Sequence, residues 1–173
     1  MIVVPTIRNT GSHFVLRLLG KQHPWRPDIL TWRGVERANA DSVIFDHVFP
    51  HQRHIFLPLI RDNLTIVPLR HPYLTAKSWA DRNHHKSDLI GMWEVMANEI
   101  APLRPFWLPL DVPDRQDYLD LLNERTGLSL TTDWSPAGVK HNNSDLRWQD
   151  VEPTPEIAAL TERIQPFLEQ FYG

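Results

Sequence analysis

Residues 2–14 read IVVPTIRNTGSHF, a short apolar run that leads through a polar loop with one glycine into a helical pattern. The apolar run predicts a strand from Ile2 to Thr6, and the pattern after Gly11 predicts a helix from Ser12 to Lys21. Further along the chain, short apolar runs again alternate with helical patterns, which is typical of βαβ units. We therefore predict an α/β fold of three layers, with helices on both faces of a central, mainly parallel sheet.

The other predicted strands are mostly apolar, as expected of strands that helices cover on both faces. They span Val43 to Asp46, Leu64 to Leu69 and Phe106 to Leu110. Further helices are predicted at Tyr73 to Arg82, Asp88 to Ile100, Pro113 to Arg125 and Pro155 to Phe171. Pro166 is expected to kink or cut the last of these helices. No repeat or linker interrupts the pattern, so residues 1–173 are expected to form a single domain.

Composition narrows the classes of function. The chain has 173 residues and a formal net charge of −3, so general nucleic-acid binding is not expected. It contains no cysteine, which excludes disulfides, thiolate metal sites and a cysteine nucleophile. The first residues lack the layout of a signal peptide, and no apolar run approaches the ~18 residues of a membrane span. A cytoplasmic protein without membrane insertion is therefore expected.

The loop after the first predicted strand has the residues of an anion-binding site. Gly11 permits close approach of the backbone, Thr10 and Ser12 carry hydroxyl groups, and the following helix contributes its positive end. Arg8 adds a cation. The loop does not have the Walker form, because no lysine follows Gly11 and no glycine lies five residues before it. The same residues also suit an ordinary turn between a strand and a capped helix.

A second candidate site lies in residues 64–79, which read LTIVPLRHPYLTAKSW. Arg70 ends a predicted strand and Ser78 lies two turns into the next helix, so both can donate to one anion at the carboxyl edge of the sheet. Arg70-x-Pro72 with Ser78 resembles the 3′-phosphate motif of the sulfotransferases that use 3′-phosphoadenosine 5′-phosphosulfate (PAPS). Residues 8–14 resemble the 5′-phosphosulfate loop of the same family.

This resemblance implies a P-loop-like nucleotide-binding fold. It also implies transfer of a sulfuryl group from PAPS to an acceptor hydroxyl or amine, with 3′-phosphoadenosine 5′-phosphate (PAP) as product and no metal. Phe14 stands where the family often places an aromatic residue near the adenine. The residues expected to bind the nucleotide by this resemblance are Arg8, Asn9, Thr10, Gly11, Ser12, His13, Phe14, Arg70, Ser78, Lys140, Asn143 and Ser144.

The segment from Phe45 to Pro50 resembles the strand end that carries the catalytic histidine in the cytosolic branch of that family. His47 precedes Arg70 by 23 residues, close to the spacing of that branch. An imidazole also suits a general base near neutral pH. His47 is therefore the candidate base, and Arg8 is the candidate cation beside the leaving phosphate.

Two positions depart from the family pattern. Asn9 stands where the family usually has lysine or arginine, with Arg8 one step earlier, and His13 replaces a hydroxyl residue. These departures leave two alternatives open. One is a nucleotide-binding module without catalysis, and the other is a kinase-like phosphotransferase in which Asp46 would bind magnesium.

Histidine spacing raises a metal site as a further hypothesis. The chain has nine histidines, and His47, His51 and His54 are separated by four and three residues, as ligands on one helix face would be. Pro50 interrupts the first pair, and no carboxylate pattern such as H-E-x-x-H accompanies them. We therefore predict no metal.

Overall fold

Five parallel strands form one sheet in the computed structural model, which describes residues 1–8, 10–20, 29–80, 86–132 and 147–173. The strands are β1 (Ile2–Thr6), β2 (Ile29–Leu30), β3 (Val43–His47), β4 (Leu64–Leu69) and β5 (Phe106–Pro109). Their order across the sheet is β2-β3-β1-β4-β5, and every neighbouring pair runs parallel. The predicted parallel sheet is therefore confirmed.

Helices cover both faces of this sheet. They are α1 (Ser12–Leu18), α2 (Arg53–Asp62), α3 (Pro72–Ala80), α4 (Lys86–Val95), α5 (Arg115–Thr126), α6 (Pro155–Arg163) and α7 (Gln165–Tyr172). A π-helical turn, Met96–Ile100, continues α4. Apolar residues of α1 and α5 pack on one face of the sheet, while α2, α4, α6 and α7 supply the larger cluster on the other. The three predicted layers are thus present.

Differences from the predicted elements have local causes. The last predicted helix is divided at Ile164, and Pro166 lies in the first turn of α7, where its missing N–H costs nothing. Helix α2 was not predicted, because Pro58 stands inside it. Strand β2 was also missed, since it has only two residues. In the described part of the chain, no helix is long and apolar enough to cross a membrane.

The strand order places a switch point at β1. From β1 the chain passes to β2 and β3 on one side of it and then to β4 on the other. Open parallel sheets bind ligands at the carboxyl ends of strands beside such a point. The candidate residues that follow β1, β3 and β4 all lie at this edge.

Candidate functional site

A tight turn built by Thr10 joins β1 to α1. The backbone N–H and the hydroxyl of Thr10 both donate to the carbonyl of Ile7, at 3.2 and 2.7 Å. Thr10 is fully buried, so its hydroxyl stabilises the turn instead of facing solvent. Asn9, Lys140, Asn143 and Ser144 lie outside the described residues. For Ser12, the structure describes the backbone at the start of α1.

Gly11 caps α1 in a left-handed conformation with φ of 92°. Its carbonyl accepts from the N–H groups of Phe14 and Val15 at 2.9 and 3.2 Å. A Cβ atom at this position would overlap the Cδ1 atom of Leu110. The glycine is therefore explained by its backbone angle and by a contact with the chain itself, in line with the ordinary capped turn that the sequence also allowed.

Replacing Gly11 with alanine is expected to lower the free energy of unfolding by about 2–3 kcal/mol, because backbone strain adds to displacement of Leu110. Gly127→Ala is the matched control. Gly127 has φ of 71°, with no described atom within 4 Å of an added Cβ, so strain alone should cost about 1–2 kcal/mol. Urea unfolding of both variants measures the difference, and equal losses would contradict the role of the Leu110 contact.

His47 ends β3 at the carboxyl edge, directly opposite Thr6 of β1. Its Nδ1 atom lies 2.8 Å from the hydroxyl oxygen of Thr6. The backbone of His47 is held on both sides, since its N–H donates to Asp46 Oδ1 at 2.8 Å and its carbonyl accepts from Trp32 Nε1 at 2.9 Å. These bonds fix the backbone from which the imidazole projects.

Burial and two neighbouring basic residues lower the pKa of His47 to about 4. Removal of the ring from water is the larger cause, followed by the charges of Arg8 and His13. Each disfavours the protonated imidazolium. His47 is therefore neutral at physiological pH and has a lone pair for a proton, but it is a weaker base than the near-neutral imidazole that the sequence predicted.

Arg8 lies at the same edge, between the segments that follow β3 and β4. Its guanidinium carbon is 6.0 Å from the ring centroid of Phe49 and 5.9 Å from that of Trp79 on α3. Such contacts between a cation and aromatic rings stabilise the position of the charge. The structure thus brings together the predicted base, His47, and the predicted loop cation, which act on each other electrostatically.

A row of aromatic and imidazole rings includes His47. The ring centroids are 6.2 Å apart for His13 and Phe45, 6.3 Å for Phe45 and His47, and 6.2 Å for His47 and Phe49. His51 then stacks on Phe49 at 5.6 Å. His13 and His51 are exposed at the two ends of the row.

Phe14 is not part of this row. Its side chain is only 2% exposed and belongs to the smaller apolar cluster, with Val4 and Leu108. It therefore offers little surface to an adenine ring. Its place between α1 and the sheet explains why the sequence has an apolar residue there.

Arg70 directly follows β4 and is 7% exposed. Burial lowers the pKa of its guanidinium, and the nearby carboxylate of Asp111 opposes that fall. Asp111 is itself held by two donors, the N–H of His71 at 2.8 Å and the hydroxyl of Tyr172 at 2.6 Å. Ser78 lies two turns into α3 and is also buried.

Sequence reasoning missed Asp111 and Tyr172 as neighbours of Arg70. The position of Asp111 just after β5 was the available signal, because it puts the carboxylate at the same edge as Arg70. Tyr172 gave no such signal, since it lies 61 residues from Asp111 in the chain and reaches it only through the packing of α7.

His71 is enclosed by aromatic rings next to Arg70. Its imidazole stacks on Trp148 with centroids 4.2 Å apart, and Tyr73 and Tyr172 meet it edge-on at 4.7 and 5.0 Å. Its Nδ1 atom accepts from the N–H of Tyr73 at 3.2 Å. Burial lowers the pKa of His71 to about 3.

This shift predicts a loss of stability in mild acid. The pKa of His71 falls from an ordinary 6.5 to about 3 on folding, so between those values the unfolded chain binds a proton that the folded chain does not. The stabilisation is complete above pH 6.5, and about 2 kcal/mol of it is lost between pH 7 and pH 5. In His71→Phe, the free energy of unfolding should fall by about 2 kcal/mol less between pH 7 and pH 5 than it does in the wild type. Urea unfolding of both proteins at the two pH values measures this difference. An equal loss in both proteins would contradict the shift.

Asp46 and the histidines considered as metal ligands are spread over three elements of the structure. The two carboxylate oxygens of Asp46 accept from the N–H groups of His47 and Trp32, at 2.8 and 3.2 Å. His51 lies in a short turn before α2 and His54 lies in its first turn. Among the described residues, no group of three or more metal-binding side chains converges.

Comparisons with known proteins add no family. No family model, curated protein or solved structure matches the chain significantly. The evidence on function therefore consists of the geometry of the candidate site and the resemblance of its motifs.

Proposed function

We propose that this protein is a sulfotransferase that uses PAPS and binds it at the carboxyl edge of the sheet. The observation that carries the proposal is the position of Arg8, His47 and Arg70 at or just after the ends of β1, β3 and β4, on one edge of the sheet. This edge is where open parallel sheets bind ligands. The same residues stand in the order that the motifs of PAPS-dependent sulfotransferases require.

Two cations suit the two phosphate groups of this nucleotide. Arg70, with Ser78, would hold the 3′-phosphate, and its low exposure strengthens an ion pair that water would otherwise screen. Arg8 and the P-loop-like turn of residues 8–14 would hold the 5′-phosphosulfate. Because Thr10 and Phe14 are committed to the turn and the core, the proposed contacts in this turn come from Arg8 and backbone N–H groups.

The bound donor supplies an activated sulfuryl group. His47 accepts the proton of the acceptor hydroxyl or amine, for which its neutral imidazole is ready at physiological pH. Arg8 stabilises the negative charge that develops on the departing phosphate. The protein thus contributes orientation, a base and a fixed positive charge to an in-line transfer.

The kinase alternative requires Asp46 as a magnesium ligand. Each of its carboxylate oxygens accepts one backbone hydrogen bond and keeps a second lone pair, so activity with magnesium ATP has to decide this alternative. A nucleotide-binding module without catalysis would use the same residues to bind. Turnover therefore separates that alternative from the proposed enzyme.

The direct test of the activity is incubation with PAPS carrying radiolabelled sulfur and a panel of hydroxyl and amine acceptors. We expect labelled acceptor and an equal amount of PAP, with no requirement for added magnesium. A parallel incubation with magnesium and ATP labelled in the γ-phosphate tests for kinase activity. Phosphorylated acceptor without sulfated product would overturn the proposal, and binding without turnover would indicate a module that lacks catalysis.

A further inference from the structure

Thr6 provides the contact that orients the ring of His47. It is fully buried at the end of β1, in the central position of the sheet. Its hydroxyl lies 2.8 Å from His47 Nδ1 and 3.3 Å from the carbonyl of Asp46.

The proton balance of these contacts identifies the donor. The hydroxyl of Thr6 has one proton and donates it to the carbonyl of Asp46. With that proton directed to the Asp46 carbonyl, the 2.8 Å contact with His47 is made by a proton on Nδ1, with the hydroxyl oxygen as acceptor. Donation of the hydroxyl to Nδ1 would instead leave the ring proton on Nε2.

We propose that Thr6 is a positioning residue that fixes the tautomer of His47, with the proton on Nδ1 and the lone pair of Nε2 free for an acceptor substrate. This inference depends on the proposed role of His47 as the base. A neutral imidazole accepts a proton only at its unprotonated nitrogen, so the tautomer decides which ring atom can act. In the transfer, Nε2 would take the acceptor's proton while Nδ1–H remains on the Thr6 hydroxyl.

The backbone contacts of His47 make this arrangement rigid. Asp46 and Trp32 bond its N–H and its carbonyl, so that rotation of the ring about the side chain is the main remaining freedom. Phe45 and Phe49 meet the ring edge-on from both sides. Arg8 and His13 lower the pKa of His47 through their charge. A charge effect of this kind does not by itself decide which ring nitrogen carries the proton.

Long-range proton–nitrogen NMR spectra at pH 7 test the proposal, because they distinguish the two tautomers of each histidine. The His47 signals are assigned by their loss in His47→Gln. We expect Nδ1–H in the wild type and in Thr6→Ser, which keeps the hydroxyl. In Thr6→Val, the ratio of Nδ1–H to Nε2–H should fall about fivefold, as expected for loss of one hydrogen bond. Thr65→Val is the matched control.

Thr65 is suitable as a control because it is also a buried threonine of a central strand, and its hydroxyl bonds the carbonyls of Ile60 and Asn63. That variant should leave the tautomer of His47 unchanged. A wild-type spectrum with the proton on Nε2 overturns the inference, even if Thr6→Val does not fold. An unchanged ratio in folded Thr6→Val also overturns it.

The outcome is separable from that of the proposed function. Absence of sulfuryl transfer would reject the enzyme without altering the NMR spectra. A proton on Nε2 in an active enzyme would reject the role of Thr6 and leave the activity intact. If the enzyme is active, Thr6→Val should reduce kcat with little change in KM, and Thr6→Ser should restore it.

Discussion

His47→Gln is expected to reduce the turnover of sulfuryl transfer about 10²–10⁴-fold, the range that a positioned general base contributes. Glutamine fills a similar space but cannot accept a proton from the acceptor substrate. The affinity for PAP should remain within about twofold, because the proposed nucleotide contacts come from Arg8, Arg70 and Ser78 and not from the imidazole. Release of PAP in the presence of an active acceptor measures the rate, and calorimetry measures the affinity.

His51→Gln is the matched control for this variant. His51 lies in the same row of rings but is exposed, and it stacks on Phe49 at the far end from His13. Its replacement should leave turnover nearly unchanged. Equal turnover in His47→Gln and the wild type would contradict the assignment of the base.

Arg70→Met is expected to weaken PAP binding at least about 30-fold, the effect of losing one hydrogen-bonded charge pair of about 2 kcal/mol. Methionine keeps much of the apolar stem of arginine but removes the guanidinium from the proposed 3′-phosphate site. Adenosine 5′-phosphate has no 3′-phosphate, so its weaker binding should not change. Calorimetric titration of both nucleotides into both proteins measures this selectivity.

A loss of folding must be separated from a loss of binding here, because Arg70 lies beside the buried Asp111. Thermal unfolding shows whether Arg70→Met is folded. Arg70→Lys keeps the charge near Asp111 but loses the planar donor group, so it should fold and bind PAP with intermediate affinity. Arg61→Met, an exposed arginine that pairs with Asp62, is the control and should bind normally. Normal binding by Arg70→Met would contradict the proposed site.

Much of the fold could be predicted from apolar runs. Strands β1 and β4 have the predicted bounds, because each is a short run of mostly apolar residues that a central parallel strand buries on both faces. Helix α2 escaped prediction, since Pro58 stands inside it and proline is unfavourable in the interior of a helix. Local sequence therefore predicted the layers of the fold, but it did not predict every helix.

The positions of the candidate residues were predictable where these residues end or follow a strand. His47, Arg8 and Arg70 lie at the carboxyl ends of adjacent strands, so their positions follow from the parallel order. The bond between Tyr172 and Asp111 was not predictable, because it depends on how α7 packs against residues far away in the chain. The need for glycine at position 11 was not predictable either, because Leu110, which an added Cβ would overlap, lies in the loop after β5.

The proposed function requires that the carboxyl edge of this sheet bind a nucleotide with phosphates at both the 3′ and 5′ positions. Calorimetric titration of the wild-type protein with PAP, adenosine 5′-phosphate and magnesium ATP tests it most directly. We expect saturable binding of PAP with one site per chain, and much weaker binding of the other two nucleotides. No binding of PAP, or a preference for magnesium ATP, would contradict the proposed function.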